Sequence, residues 1–494
     1  MLSFISSLLY PLIFPKFNLH FLFPVAFTPL LLFSLNCRQK NKLFFYTWIS
    51  GTIANMTLLY WLYVTMRLNE VNVLASALGL VLFSAYLGLY WAAFSIIVNI
   101  AGNIRTFSLI FFIPCAWVLL EYIRTYLFTG IPWLLAGYSL WNYPELIQIA
   151  SYTGVYGLSF IVILANTCIA LLILRKKKII ITTGILSFLI LLAYGTFSIS
   201  MQLQDPTIKI SILQGNISQY KKFNSAYTNE ILQIYTDLHQ MTDEYDPALI
   251  VWPETSLPGM LTSDSRISDY ITNLSVQSGS YELVGSIERT RSKYYNSSYM
   301  VSPDAIIDGP YRKIHILPFG EYFPMRSFLS LFTDVVGGLG DYNRGSEYFV
   351  FKTESFNAAV GICFESVFPQ QIRKFFDNGA DLFVNITNDG WFVDTAGAYQ
   401  HFIHSIIRAV ENRTYVIRSA NTGISAVIAP TGHIISNTKL LEAGILNAKV
   451  ATVTKKTFYS KYGDIFIILC LFFAAYITRK ELICLKKEKT KLMN

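Results

Sequence analysis

Between residues 2 and 200 the sequence returns repeatedly to apolar runs long enough to cross a lipid bilayer, and this restricts the chain more than any other feature. A spanning helix needs about 20 mostly apolar residues. The runs 43–64, 73–100, 107–128, 147–174 and 179–199 meet that length, and 21–35 does so with its flanks. The run 2–14 is shorter and contains Pro11, which suits a tilted or partial span. It lacks the basic start and small-residue cleavage site of a signal peptide. A final run, 465–477, is extended by aromatic residues from Phe458 onward. Only 14% of the residues are charged, against about 25% in average soluble domains. The expected organisation is a helical membrane region of about seven helices over 1–203, a polar domain over 204–460, and a last helix with a basic tail over 461–494.

The net charge of +8 does not point to nucleic acid. The basic residues sit in short clusters beside apolar runs, as in Arg175-Lys176-Lys177-Lys178 and Lys486-Lys487-Glu488-Lys489. Cytoplasmic membrane flanks carry such clusters. Placing Arg38, Lys40 and Lys42, then Arg105, then the 175–178 cluster inside gives one consistent topology. The 204–460 domain then lies outside and the tail inside. In a bacterium with two membranes, the protein is expected in the inner membrane with that domain in the periplasm.

Residues 205–462 alternate strand and helix signals. Strands are expected at 207–213, 249–252, 283–285, 299–302, 358–362, 382–385, 415–418 and 425–428, with helices after Cys363 and after Thr395. This alternation argues for a layered α/β fold. Of six cysteines, Cys363 alone falls in this region. A disulfide within it is therefore impossible, and no cysteine pair has metal-ligand spacing.

Three strand ends carry candidate chemistry. In Ile250-Val251-Trp252-Pro253-Glu254 an apolar strand runs into a carboxylate, suited to a general base at a sheet rim. In Arg312-Lys313-Ile314-His315 a lysine opens a largely apolar stretch, suited to a fixed cation facing a developing oxyanion. In Val360-Gly361-Ile362-Cys363-Phe364-Glu365 a thiol stands at a strand-to-helix turn, the layout of a nucleophile. A nearby lysine would favour its thiolate and a nearby carboxylate could take its proton. Taken singly, Glu254 also reads as a solvated loop glutamate, Lys313 as a surface lysine and Cys363 as a small buried hydrophobe. His315 reads as structural.

Together, in the order Glu–Lys–Cys, these segments resemble the nitrilase, or carbon–nitrogen hydrolase, superfamily over about 207–450. The resemblance implies an α-β-β-α sandwich with Glu254 as base, Lys313 as oxyanion stabiliser and Cys363 as nucleophile. It also implies a second glutamate, which Glu321 in Pro318-Phe319-Gly320-Glu321 matches. With spans on both sides, the chain is similar to the apolipoprotein N-acyltransferase family. Leu213-Gln214-Gly215-Asn216, Cys363-Phe364-Glu365 and Thr387-Asn388-Asp389-Gly390-Trp391-Phe392 fit that pattern, as do Trp117, Glu121, Arg124 and Gly130-Ile131-Pro132-Trp133 in the membrane half. Two positions depart from it. Phe223 stands where that family commonly has Trp, and Phe364 where it has Tyr.

The resemblance implies transfer of an acyl chain from a membrane phospholipid to Cys363. The α-amine of a diacylglyceryl-modified N-terminal cysteine of an apolipoprotein then accepts it. Glu321 and Glu365 would support the site, with Phe364 and Phe223 beside it, and no metal or soluble cofactor is implied. Trp133, Trp141 and Trp391 would suit a membrane boundary. A membrane-tethered amidase using water as acceptor would carry the same three residues. A non-enzymatic lipid transporter or scaffold would leave them without a task.

Overall fold

Helices account for nearly all of the first 200 residues. The computed structural model describes residues 1–175, 177–201, 205–222, 224–322, 342–453 and 455–493; Phe223 lies outside them. The chain forms two units, Met1–Met201 with Tyr462–Asn494, and Gln202–Lys461.

Among the described residues of the helical unit, four helices are long and apolar enough to cross a membrane: Val73–Ile100, Thr106–Tyr126, Val155–Arg175 and Lys178–Ser200. The Lys178–Ser200 helix leaves Ile185, Leu186, Phe188, Leu189 and Ile190 exposed, as expected where lipid rather than water is the surround. Other expected runs are divided. The 43–64 run is interrupted at Leu59 between helices Lys40–Leu58 and Tyr60–Leu68. Just before the break, the Asn55 and Thr57 side chains donate to the Gly51 and Ile53 carbonyls, and such bonds bend helices. The 147–174 run becomes helical without interruption only from Val155, because Gly154 adopts φ 63°. The 21–35 run is helical as Thr28–Asn36. The last helix runs beyond the expected 465–477, from Ile465 to Met493.

Several buried polar groups in this unit bond to backbone. Ser34, Thr47 and Thr167 donate to carbonyls one turn back. Asn166 Oδ1 accepts from the Phe27 and Thr28 N–H groups at 2.7 and 2.9 Å, and its Nδ2 donates to the Phe23 carbonyl at 2.7 Å. It caps the Thr28–Asn36 helix from a different helix, satisfying donors that lipid cannot. Glu121 and Arg124 are both buried, and each holds a folded-back loop. Glu121 Oε1 accepts from Trp117 Nε1 at 2.8 Å and from the Ala136 N–H at 2.7 Å. Arg124 donates to the Trp133 carbonyl at 3.3 Å. Trp133, expected at a membrane boundary, is instead buried with its ring 5.3 Å from that of Trp61.

The second unit is an α/β sandwich. Its first sheet contains β1 (Ile208–Gln214), β2 (Leu249–Val251), β3 (Tyr281–Thr290), β4 (Lys293–Val301) and β5 (Ile307–Arg312). The second contains β6 (Val350–Lys352), β7 (Asn357–Ile362), β8 (Leu382–Thr387), β9 (Val416–Ala420), β10 (Ala426–Ile428) and β11 (Ile434–Asn437). The last strand, β12 (Gly444–Val450), returns to the first sheet beside β1. The orders are β12-β1-β2-β3-β4-β5 and β11-β10-β9-β8-β7-β6. In each sheet three strands run parallel, β1-β2-β3 and β7-β8-β9.

Parallel strands buried on both faces read as continuous apolar runs, and β2, β8 and β9 are buried throughout. The sheets meet face to face, where Ser419 Oγ donates to the Leu213 and Val251 carbonyls across the interface. Helices Thr228–Gln240 and Ser265–Ser278 pack Ile231, Tyr235, Ile267 and Ile271 against the first sheet. Helices Pro369–Asp377 and Ala396–Asn412 lie against the second. The fold is thus a helical membrane part plus an α-β-β-α sandwich.

Candidate active site

In parallel α/β sheets, functional groups gather beyond the carboxyl ends of strands. Glu254 follows β2, Cys363 follows β7 and Asn388 follows β8, while Lys313 follows the antiparallel β5. The structure brings Glu254, Lys313, Cys363 and Glu321 together.

Glu254 is held by its neighbours. Trp252, fully buried, donates its Nε1 hydrogen to Glu282 Oε2 at 2.6 Å and stacks 4.6 Å from Tyr235, fixing the strand exit. Gly285 of β3 admits the loop, since a Cβ there would lie 2.6 Å from the Thr255 nitrogen. The carboxylate is then engaged on both oxygens. Oε1 accepts from Asn296 Nδ2 at 2.7 Å and lies 3.7 Å from Lys313 Nζ. Oε2 accepts from the Asn388 N–H at 2.8 Å. Lys222 Nζ donates to the Glu254 backbone carbonyl at 2.6 Å.

Lys313 is 2% exposed, so it is no surface lysine. Its Nζ donates to Glu321 Oε1 at 2.9 Å. Burial works against its charge, but Glu321 and Glu254 more than offset this and hold the ammonium above its usual range. Asn296 Nδ2 also reaches Glu321 Oε1 at 2.9 Å. Glu321 Oε2 accepts from the Leu317 N–H at 2.7 Å, which closes the Pro318–Glu321 turn. Lys222 is a second buried lysine, and burial lowers it to about 8 despite the opposing pull of Glu254 and Cys363.

Cys363 sits at φ 53°, the left-handed region that non-glycine residues rarely enter. A 3₁₀ turn, Cys363–Val367, follows directly. Burial pushes the thiol above its usual range and the Glu254 charge adds to this, while Lys313 pulls the other way without offsetting them. A nearby lysine was expected to favour the thiolate. Here the Lys313 charge is shared with Glu321 and Glu254, and its pull on the thiol does not prevail.

Glu365 is fully buried. Its oxygens accept from Tyr311 Oη, from the Ile314, His315 and Ile362 N–H groups and from Gln371 Nε2. It ties the Lys313 and Cys363 turns together. Phe364 packs against Phe368 at 5.2 Å and His315 at 5.9 Å, and His315 stacks on Phe368 at 3.7 Å.

Asn296, Lys222 and Asn388 did not stand out in the sequence as site residues. Asn296 lies mid-strand in a polar stretch, Lys293-Tyr294-Tyr295-Asn296-Ser297-Ser298, where no local pattern marks a functional side chain. Lys222 sits in a two-lysine run of ordinary appearance. Asn388 contributes a backbone hydrogen, which a sequence cannot display.

The comparisons with known proteins agree over most of the chain. The family model described as apolipoprotein N-acyltransferase N-terminal domain matches residues 6–168, and that described as carbon-nitrogen hydrolase matches residues 209–457. The apolipoprotein N-acyltransferase of Geobacter metallireducens is 34% identical, covering 97% of this chain and 94% of that protein. That of Rickettsia prowazekii is 32% identical over 76% of this chain and 77% of its own. That of Wigglesworthia glossinidia brevipalpis is 31% identical over 92% of this chain and 93% of its own. With both halves matched in order, and relatives alike over three quarters or more of their length, the chain belongs to the apolipoprotein N-acyltransferase family.

Proposed function

We propose that this chain moves an acyl group from a membrane phospholipid to the α-amine of a diacylglyceryl-cysteine at the N-terminus of an apolipoprotein, through a thioester on Cys363. The observation that carries this reading is the convergence of Glu254, Lys313 and Cys363 at one end of the sandwich, with Lys313 paired to both Glu254 and Glu321.

Glu254 takes the thiol proton. Sγ forms a bond to the ester carbonyl carbon, and Lys313 with backbone N–H groups receives the oxyanion. The ester C–O bond breaks, and the proton on Glu254 passes to the departing lysophospholipid oxygen. The acceptor amine then attacks the thioester carbon and gives a proton to Glu254. The C–S bond breaks and the proton returns to sulfur. Two bulky, membrane-anchored substrates need not occupy the site together, which is the logic of a covalent intermediate. Glu321 holds Lys313 in place, and Glu365 holds the turns that carry Lys313 and Cys363.

Helices long and apolar enough to span a bilayer precede the sandwich in the chain, so both lipid substrates and the enzyme share one phase. The domain around Cys363 and the 67–72 loop lie on the periplasmic side of the inner membrane, with 175–178 in the cytoplasm, on the basic-loop asymmetry. A reporter active only in the cytoplasm, fused after Asp243, should be silent; activity there reverses the topology.

Purified protein given phospholipid without acceptor should gain one acyl mass on the peptide holding Cys363, removable by neutral hydroxylamine. Cys363→Ala should not gain it, whereas Cys115→Ala and Cys168→Ala should. Normal acceptor acylation by Cys363→Ala would refute the reading.

A further inference from the structure

The short helix Gln219–Lys222 carries two polar side chains to the surroundings of Glu254, and the chemistry above uses neither. Gln219 ends a chain of side-chain amides whose direction the backbone fixes. Asn421 Oδ1 accepts the Ile217 N–H at 3.0 Å, and its Nδ2 donates to the Ile217 carbonyl at 2.7 Å. A backbone N–H can only donate and a carbonyl can only accept, which settles the two ends of Asn421. Its Nδ2 also donates to Asn388 Oδ1 at 3.0 Å, so Asn388 Nδ2 is the donor to Gln219 Oε1 at 2.6 Å. The chain therefore finishes on a nitrogen. Gln219 Nε2 is buried and has no hydrogen-bond partner among the described residues. A donor left in that condition is costly, and the cost is recovered when an acceptor arrives.

Lys222 stands at the other end of the same helical turn and is 8% exposed. Positions three apart share a helix face. Its Nζ spends one hydrogen on the Glu254 carbonyl at 2.6 Å. Among the described residues it makes no ion pair, whereas Lys313 is paired with both Glu254 and Glu321. Burial holds it at about 8 against the pull of Glu254 and Cys363, so the ammonium is charged at neutral pH. A buried charge ordinarily has a counter-charge. Asn388, which binds Gln219, also gives its N–H to Glu254 Oε2 at 2.8 Å. An amide nitrogen and an ammonium, both with hydrogens to give, thus neighbour the general base.

On the reading above, the acyl donor brings an anion to this place. Its leaving oxygen takes a proton from Glu254, and only a glycerol backbone separates that oxygen from the phosphodiester. A phosphate close to the Glu254 carboxylate meets like charge unless a cation compensates, and Lys313 is already held by two carboxylates. The acceptor's amino group, a cation until it loses its proton, would be repelled by the Lys222 ammonium. We propose that Gln219 Nε2 and Lys222 Nζ bind the phosphodiester of the phospholipid donor, and so select acyl chains carried by phospholipids over those on neutral glycerides. This rests on the phospholipid-to-Cys363 step proposed above.

Gln219→Glu separates recognition from structure. It keeps an oxygen for Asn388 Nδ2 and replaces the spare N–H group with an acceptor that repels phosphate. Single-turnover acylation of Cys363 in the purified full chain, followed by mass over a range of dioleoylphosphatidylethanolamine concentrations, gives a limiting rate and a half-saturation. Half-saturation should rise about tenfold or more in Gln219→Glu, the scale of one lost hydrogen bond to a charged group, and the limiting rate should fall by less. Lys222→Met should move half-saturation in the same direction. The unmutated protein should favour this phospholipid over dioleoylglycerol by about tenfold or more in rate over half-saturation, and Gln219→Glu should narrow the preference. General loss of structure would slow both donors alike. Inorganic phosphate should not speed the use of dioleoylglycerol; stimulation would give the site to the free ion and overturn its assignment to the donor. Half-saturation in Gln219→Glu within about threefold of the unmutated value, or equal use of the two donors by the unmutated protein, would also overturn the proposal. No adduct on Cys363 from either donor would remove the nucleophile reading and this one with it; an adduct with unmoved half-saturation in Gln219→Glu removes this one alone.

Discussion

The helical unit and the sandwich both bury polar side chains, but they use them differently. In the helical unit the partners are mostly backbone: Ser34, Thr47 and Thr167 turn back on their own helices, and Asn166 caps another. Each such bond satisfies a group that would be costly to leave bare in lipid. In the sandwich, charged side chains face one another. Lys313 lies between Glu254 and Glu321, with the Cys363 thiol in the reach of both Glu254 and Lys313. Charges gathered beyond what architecture requires mark a site of chemistry. Substitutions in the sandwich site should therefore change rates, and substitutions in the helical unit should change stability.

The largest effect should come from Glu254→Gln. The amide cannot take the thiol proton, and general-base loss typically costs about 100- to 10,000-fold. Acyl-enzyme formation should collapse while the protein elutes and melts normally; near-normal turnover would make Glu254 an ordinary loop residue. Next is Lys313→Arg, which keeps the charge but offers a larger, planar head in a 2%-exposed slot. A loss of about 100- to 1000-fold is expected, and less than about tenfold would place Lys313 away from the oxyanion.

The Cys363 thiol itself offers a subtler test. Because burial and Glu254 hold it above its usual range, less thiolate is present at neutral pH than for a free thiol. Alkylation of Cys363 without substrate should keep accelerating as pH rises past the ordinary value of about 8.5. A plateau near neutrality would show that Lys313 wins over Glu254. On the other side of the comparison, Asn166→Ala strips two helix N–H groups of their acceptor. It should destabilise the helical unit by about 1–3 kcal/mol, read as a lower melting temperature, with the acylation rate per folded molecule unchanged. The smallest effect belongs to Leu189→Ala on the exposed face of the Lys178–Ser200 helix, within about 0.5 kcal/mol. A rate loss from Asn166→Ala comparable to that of Lys313→Arg would erase the distinction between the two units.

The sequence discloses what is local. Glu254 and Cys363 each end an apolar strand-like segment, so their placement could be read from a few neighbours, whereas Lys313 follows β5 and showed in the sequence only as the start of an apolar stretch. The strands β7, β8 and β9 were readable because each contains a short apolar run, 358–360, 382–384 and 416–417, that is buried on both faces. Strands β5, β6, β11 and β12 were not. They alternate or sit at sheet edges, and β11 alternates half-buried with exposed residues. The breaks at Leu59 and Gly154 were also hidden, since hydropathy averages over a bend. Asp389, His401 and Arg418, buried and in contact with one another, come from a 3₁₀ turn, a helix and a strand, and nothing in any one of those segments announces the others. Lys222 is one of two adjacent lysines, and only its burial sets it apart.

The Asn166 cap also orders events in time. Its acceptor oxygen serves the Thr28 N–H from 138 positions later in the chain. At synthesis rates of about 5–20 residues per second, the early helix emerges on the order of ten seconds before the group that completes it. Through that interval the Phe27 and Thr28 hydrogens need a stand-in, water or the insertion machinery. One amide side chain thus ties one of the first helices of the bundle to a much later one.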